Sequence, residues 1–224
     1  MAIPPETFIV PWTKWLLDKC CNWTLLRWLE KKFGESFWLV DVYVLSFFAL
    51  SFVFYIVASA TYILSFPAGY ATPRCSFCAI LWIVVPMLAY RVWDWAPYIL
   101  RVSIFTEPRK GKTNIKDPKR TVILLILNYL EMIFWFAALY STFDLNGWLH
   151  VKEGTRPLAT LRESTMLMVA NWSGNFSDLN RCAWFAVTFQ SLFGLFMTIM
   201  IVARFIAFLP PADPKQRKKS AAEK

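Results

Sequence analysis

The chain is short of charge. Asp, Glu, Lys and Arg make up 17% of its 224 residues, against about 25% in an ordinary soluble domain. It has one histidine, seven glycines and five cysteines. A lone His150 leaves little material for histidine triads or multi-histidine metal sites. No phosphate-cradling glycine loop, nucleophile elbow or catalytically spaced acid pair occurs. No metal site, no cofactor and no enzymatic activity is therefore expected. What the chain has in excess is apolar surface, with 57% hydrophobic and 18% aromatic residues and a mean hydropathy of +0.42. These proportions exclude a soluble enzyme, a disulfide-stapled secreted domain and a disordered chain. The expectation is an all-α, multi-pass membrane protein.

Four stretches approach the roughly 20 apolar residues a spanning helix needs. They run from about Val42 to Phe66, Phe77 to Trp93, Thr121 to Phe143 and Ala183 to Leu209. Pro86 should kink the second, since it removes a donor and crowds the preceding turn. Upstream, residues 8–33 mix Trp12, Trp15, Trp23 and Trp28 with Lys14, Lys19, Arg27, Lys31 and Lys32. That mixture fits an amphipathic helix lying in the membrane interface, or a helix packed on its own protein at the water side. No cleavable signal peptide is read at the start.

The net charge of +9 would ordinarily raise nucleic acid as a partner. Here the basic residues cluster between apolar segments, where topology and anionic lipid account for them, so no nucleic acid is expected. The N-terminal segment, the loop between the second and third spans (Arg101, Arg109, Lys110, Lys112, Lys116, Lys119, Arg120) and the tail (Lys215, Arg217, Lys218, Lys219, Lys224) hold most of them. By the positive-inside rule both termini are expected in the cytoplasm. The organisation read is 1–35 interfacial segment, 36–100 first two spans, 101–120 basic cytoplasmic loop, 121–210 third and fourth spans with their loop, and 211–224 charged tail.

Between the third and fourth spans, Thr160-Leu-Arg-Glu163 has the spacing of a capping box. An apolar run, Thr165 to Ala170, follows and is broken by Asn171-Trp-Ser-Gly-Asn175. A helix of about ten residues is too short to cross and suits a re-entrant half-helix, with its non-helical return buried in protein or lining water. Asn128-Tyr-Leu-Glu131, Phe136-Ala-Ala-Leu-Tyr140, this half-helix, Gln190-Ser-Leu-Phe-Gly194 and Ala203-Arg204 together resemble the two-helix pore module of the potassium-channel-like superfamily. The resemblance covers about residues 119–210. It implies a homotetramer around one axis, an outer helix, a pore helix, a filter and an inner helix with a hinge glycine.

With Ser164 opening that family's pore-helix Ser-x-x-Thr signature, the filter falls on Ala170, Asn171, Trp172, Ser173 and Gly174. The family's first filter glycine, which lets carbonyls aim inward, is here Trp172, and its innermost threonine is Ala170. The resemblance thus implies a degenerate filter that passes cations with little selectivity or passes nothing. Ser191, Gly194 and Thr198 lie on one small, polar helix face, as a pore lining with a hinge or as a close helix contact.

Glu131 falls about 15 Å into the third span at 1.5 Å per residue. An ionisable group at that depth needs a partner. Arg204 is the first choice and Arg91 the second, as a structural ion pair or as an ion or proton site. Arg91 and Asp94 are expected to pair with each other at i, i+3. The first two spans carry no arginine row of a voltage sensor. Cys75 and Cys78, with Cys182, raise a thiol–quinone oxidoreductase as a rival, though such enzymes need a second cysteine pair. Asn171-Trp-Ser173 and Asn175-Phe-Ser177 fit the glycosylation sequon. The leading expectation is a weakly selective, non-voltage-gated ion channel. The alternatives are a non-conducting channel-like subunit scaffolding partners within the membrane, and the thiol enzyme.

Overall fold

The computed structural model describes residues 9–22, 24–33, 37–65, 74–105, 118–152, 156–172 and 174–208. They form seven helices and a two-residue-per-strand hairpin: α1 Ile9–Asn22, α2 Leu25–Phe33, α3 Phe37–Ser65, α4 Arg74–Phe105, α5 Pro118–Leu145, β1 His150–Val151, α6 Arg156–Met168, β2 Phe176–Ser177 and α7 Arg181–Phe208. Three of them are long and apolar enough to cross a membrane, through Trp38–Thr61, Val122–Leu145 and Arg181–Ala203. The chain is an all-α membrane protein on that evidence. The fourth stretch, α4, is helical for 32 residues and continues through Pro86 and Pro97. It carries buried Arg91 and Asp94, which dilute its apolarity. Helix α4 also runs on to Phe105, into residues expected as loop; the rest of the basic segment up to 117 and the charged tail lie outside the described residues.

Helix α5 is the centre of the bundle. In its most apolar window 56% of the residues are buried, twice the 28% of α3 and of α7. Trp135, Phe136, Ala137, Ala138 and Tyr140 have almost no exposed surface, so α5 is apolar on all sides, as a surrounded helix must be. Phe134 meets Phe48 and Phe52 of α3 edge-on, at 5.8 and 5.2 Å between ring centroids. Phe136 faces Phe189 of α7. Helix α1 packs along α4, and α2 along α3. The aromatic, basic N-terminal stretch is therefore two helices rather than one.

After α5, a turn with Gly147 at φ +69° leads into β1, which pairs antiparallel with β2 in the register His150↔Ser177, Val151↔Phe176. The chain between the two strands is a closed excursion that leaves and returns at one place. Helix α6 occupies that excursion, packed on α5 and α7. It begins one turn earlier than the capping box had indicated. Pro157 sits in its first turn, where a missing amide hydrogen is no loss, and Thr160 and Glu163 are interior residues that face the bundle. Helix α7 is capped by Asn180, whose side-chain oxygen accepts from the Ala183 amide at 2.8 Å.

The far end of α6 meets α7 at Gly194, thirteen residues past Arg181, or about 20 Å along the axis. A Cβ at 194 would lie 2.6 Å from Met168 Cα and would also collide with the Met168 carbonyl oxygen. Gly194 is thus a backbone-to-backbone contact. Replacing Gly194 with Val should lower the thermal midpoint in detergent, with overpacking costing about 1–3 kcal/mol; an unchanged midpoint would contradict the contact.

Candidate functional site

Two polar clusters lie inside the apolar bundle. The first surrounds Glu131, which is fully buried. Arg91 of α4 holds it bidentately, Nε to Oε1 at 2.6 Å and Nη2 to Oε2 at 2.5 Å. The Trp135 indole donates to the same Oε1 at 3.1 Å. Arg91 also donates to Asp94 Oδ2 and to Asn128 Oδ1, both at 3.1 Å, and its guanidinium lies 4.4 Å from the Phe47 ring centroid. From α3, the Tyr43 hydroxyl donates to Asp94 Oδ2 at 2.7 Å. One arginine thus ties α3, α4 and α5 together. The partner of Glu131 is Arg91, the second of the two arginines considered; the side chain of Arg204 lies outside the described residues. The i, i+3 pair of Arg91 with Asp94 is formed as well. A second ion pair, Arg120 with Asp41 at 2.8 Å, joins α5 to α3 nearer the surface.

The second cluster fastens α6. Gln190 Nε2 of α7 donates to the Ser164 carbonyl and hydroxyl oxygens, both at 2.9 Å. Its Oε1 accepts from the Tyr140 hydroxyl at 2.5 Å. Ser164 Oγ donates to the Ile133 carbonyl at 2.8 Å, and the Thr160 and Ser141 hydroxyls meet at 2.9 Å. Glu163 Oε1 accepts from Asn175 Nδ2 at 2.8 Å, holding the returning chain against the helix. These hydrogen bonds are made within the protein and fix α6 to α5 and α7. Sequence reasoning had noticed Gln190, Tyr140 and Ser164 only as parts of a resemblance. A glutamine nine residues into an apolar helix is itself a signal of an interhelical bond.

Past Met168 the backbone turns sharply. The Asn171 amide donates to the Met166 carbonyl at 2.9 Å, and the Ala170 amide to the Leu167 carbonyl at 3.0 Å. With Ala170 at φ +56° this is a Schellman cap whose left-handed position, normally glycine, holds alanine. Asn171 and Trp172 are exposed, and the Trp172 ring meets Phe176 edge-on at 6.4 Å. Gly174 takes φ +76°; Ser173 lies outside the described residues. The structure therefore brings Ala170, Asn171, Trp172 and Gly174 together as one short return at the tip of α6.

Of the three proposed lining residues, Gly194 is buried under Met168, Thr198 Oγ1 donates back to the Gly194 carbonyl at 2.9 Å, and Ser191 is half-buried. Cys182 is free and exposed, and Cys20 is free. The side chains of Cys75 and Cys78 lie outside the described residues. Among the described residues, no group of three His, Cys, Asp or Glu is placed to hold a metal ion. Set against protein-family models, curated proteins and solved structures, the chain matches none.

Removing Arg91 alone leaves two buried carboxylates, Glu131 and Asp94, without their cation. Arg91→Met should cost about 3–5 kcal/mol of stability, read as a fall in the detergent thermal midpoint. Adding Glu131→Gln should recover part of it, Asp94 still lacking its cation, whereas equal midpoints for the single and double variants would show that the Arg91–Glu131 pair does not hold the bundle. Ala170→Gly removes left-handed strain of about 1 kcal/mol and should raise the midpoint by a few degrees; a drop would mean that the cap does not form as described.

Proposed function

We propose that the chain is a channel-like membrane protein with four spanning helices, both termini on the cytoplasmic side, and a re-entrant half-helix, α6, between the last two spans. The observation that carries the reading is the closed excursion between β1 and β2. It leaves and returns at the outer end of α5 and α7, and the end of α6 abuts α7 at its midpoint. A short helix entering a bilayer and returning beside its own entry is the geometry of a pore loop. The end of such a helix carries about half a negative charge, and four of them around an axis would favour a cation there.

The inclusion of α4 as a span has its own support. Its only charges among the buried residues, Arg91 and Asp94, are paired with each other and hydrogen-bonded to Glu131 and Tyr43 respectively, which is how ionisable groups persist at membrane depth. A homotetramer is supported by α7. Leu192, Leu195, Ile199, Val202 and Ile206 are all exposed on it, and they recur at alternating spacings of three and four. That 3.5-residue repeat would suit helices packing on copies of themselves.

A second reading keeps the assembly and drops conduction. Trp172 stands where the resemblance would have a glycine, and half of its surface is exposed, so four such rings could close the axis. Mass measurement in detergent followed by cation flux into liposomes tests both readings. A complex of about 104 kDa, four chains of 26.1 kDa, is expected. Wild-type flux would make this a conducting channel. Flux only in Trp172→Gly would make it a plugged, non-conducting subunit, and a monomer would end both readings.

A further inference from the structure

An apolar hollow lies apart from the module described above. It is a groove of about 1010 Å³ between α2, α3 and α4, lined by Trp28, Phe47, Leu50, Trp82, Pro86 and Tyr90 among others. Its walls are almost wholly hydrocarbon and aromatic. Water would find few partners there, and an apolar void of this size forfeits contact energy on every wall. The groove runs along α3 from Phe47 to Leu50 and along α4 from Tyr90 to Trp82, about 12 Å of helix at 1.5 Å per residue. Ile83 and Met87, which also line it, are exposed on its flank. In a membrane this flank faces the bilayer, so the molecules that reach the groove sideways are lipids.

One end of the groove is closed by α2, and that end is cationic. Lys32 Nζ lies 5.2 Å from the ring centroid of Trp28, which is itself a wall of the groove. Lys31 stands beside it in the last turn of α2, and both are exposed. Helix α1 repeats the pattern, with Lys19 Nζ 4.8 Å over Trp15. An apolar trough ending in two ammonium groups on an aromatic, surface-lying helix is complementary to a molecule with a hydrocarbon tail and a negative head.

We propose that the groove between α2, α3 and α4 binds one anionic phospholipid, an acyl chain lying along Phe47, Leu50 and Trp82 and the phosphate against Lys31 and Lys32. The proposal rests on the membrane placement of these helices and is independent of conduction. It gives α2 a defined place on the bundle. The groove's Tyr90 hydroxyl lies 3.4 Å from that of Tyr43, which donates to Asp94 beside Arg91. The lipid would therefore contact α3 and α4, two of the three helices that the buried arginine ties together.

The test uses the full chain, delipidated in detergent and incubated with phosphatidylglycerol or phosphatidylcholine, with retained lipid counted by native mass spectrometry. One phosphatidylglycerol per chain is expected to survive. Two surface cations predict a preference of roughly thirty-fold over phosphatidylcholine. Leu50→Trp, which fills the trough, should abolish retention of both lipids. Lys31→Gln with Lys32→Gln should leave the tail site and equalise the two, and helical circular dichroism confirms that each variant is folded. The proposal is overturned if wild-type protein retains no lipid, or if the paired lysine variant keeps the full preference. It is also overturned if Leu50→Trp instead dissociates a lipid-free oligomer, which would make a second copy the occupant.

Discussion

The structure depends on one buried carboxylate. Glu131 sits without solvent contact in the helix that every other long helix packs around. An isolated charge there would be prohibitively costly, so its partner is obligatory rather than optional. Arg91 meets that need and, having five donors in a rigid fork, reaches Asp94 and Asn128 as well. This requirement draws α4 against α5 although α4 carries two prolines, and the Tyr43–Asp94 bond draws α3 in behind it. The apolar contacts alone are not directional; the fork sets the register of three helices against one another.

Around that fixed centre, α6 is held by a different means. It buries Ala159, Leu167 and Met168 in the core and is oriented by hydrogen bonds: Ser164 to Ile133, Thr160 to Ser141, Gln190 to Ser164. Gly194 admits its last turn to backbone contact with α7. A short helix seated this way has its two ends set independently. The hairpin fixes where it enters, and the glycine fixes where it stops. The chain then has to reverse within a few residues, and the reversal is made with a left-handed alanine and a left-handed glycine rather than two glycines.

Much of this was legible from residue patterns. The apolar lengths foretold the long helices, and the polar break after Ala170 foretold the end of α6. Glu131 announced that a cation must be near. The capping-box spacing misled by one turn, because Thr160 and Glu163 are interior polar residues and the proline in the first turn starts the helix. By sequence, Arg204, near the inner end of the last span, is the first choice of partner and Arg91 the second. Helix rotation decides the partner instead, and rotation is a property of packing.

By itself, then, the sequence determined the solvent, the helical class and the need for an intramembrane ion pair, because hydrophobic length and buried charge are constraints on any fold of these residues. Tertiary structure alone decided which arginine answers Glu131, that Gly194 is a contact rather than an open face, and that α2 closes a groove against α3 and α4. Those outcomes turn on which faces of separate helices meet. A helix of nearly uniform hydrophobicity, such as α5 or α7, has no face marked in its sequence to say so.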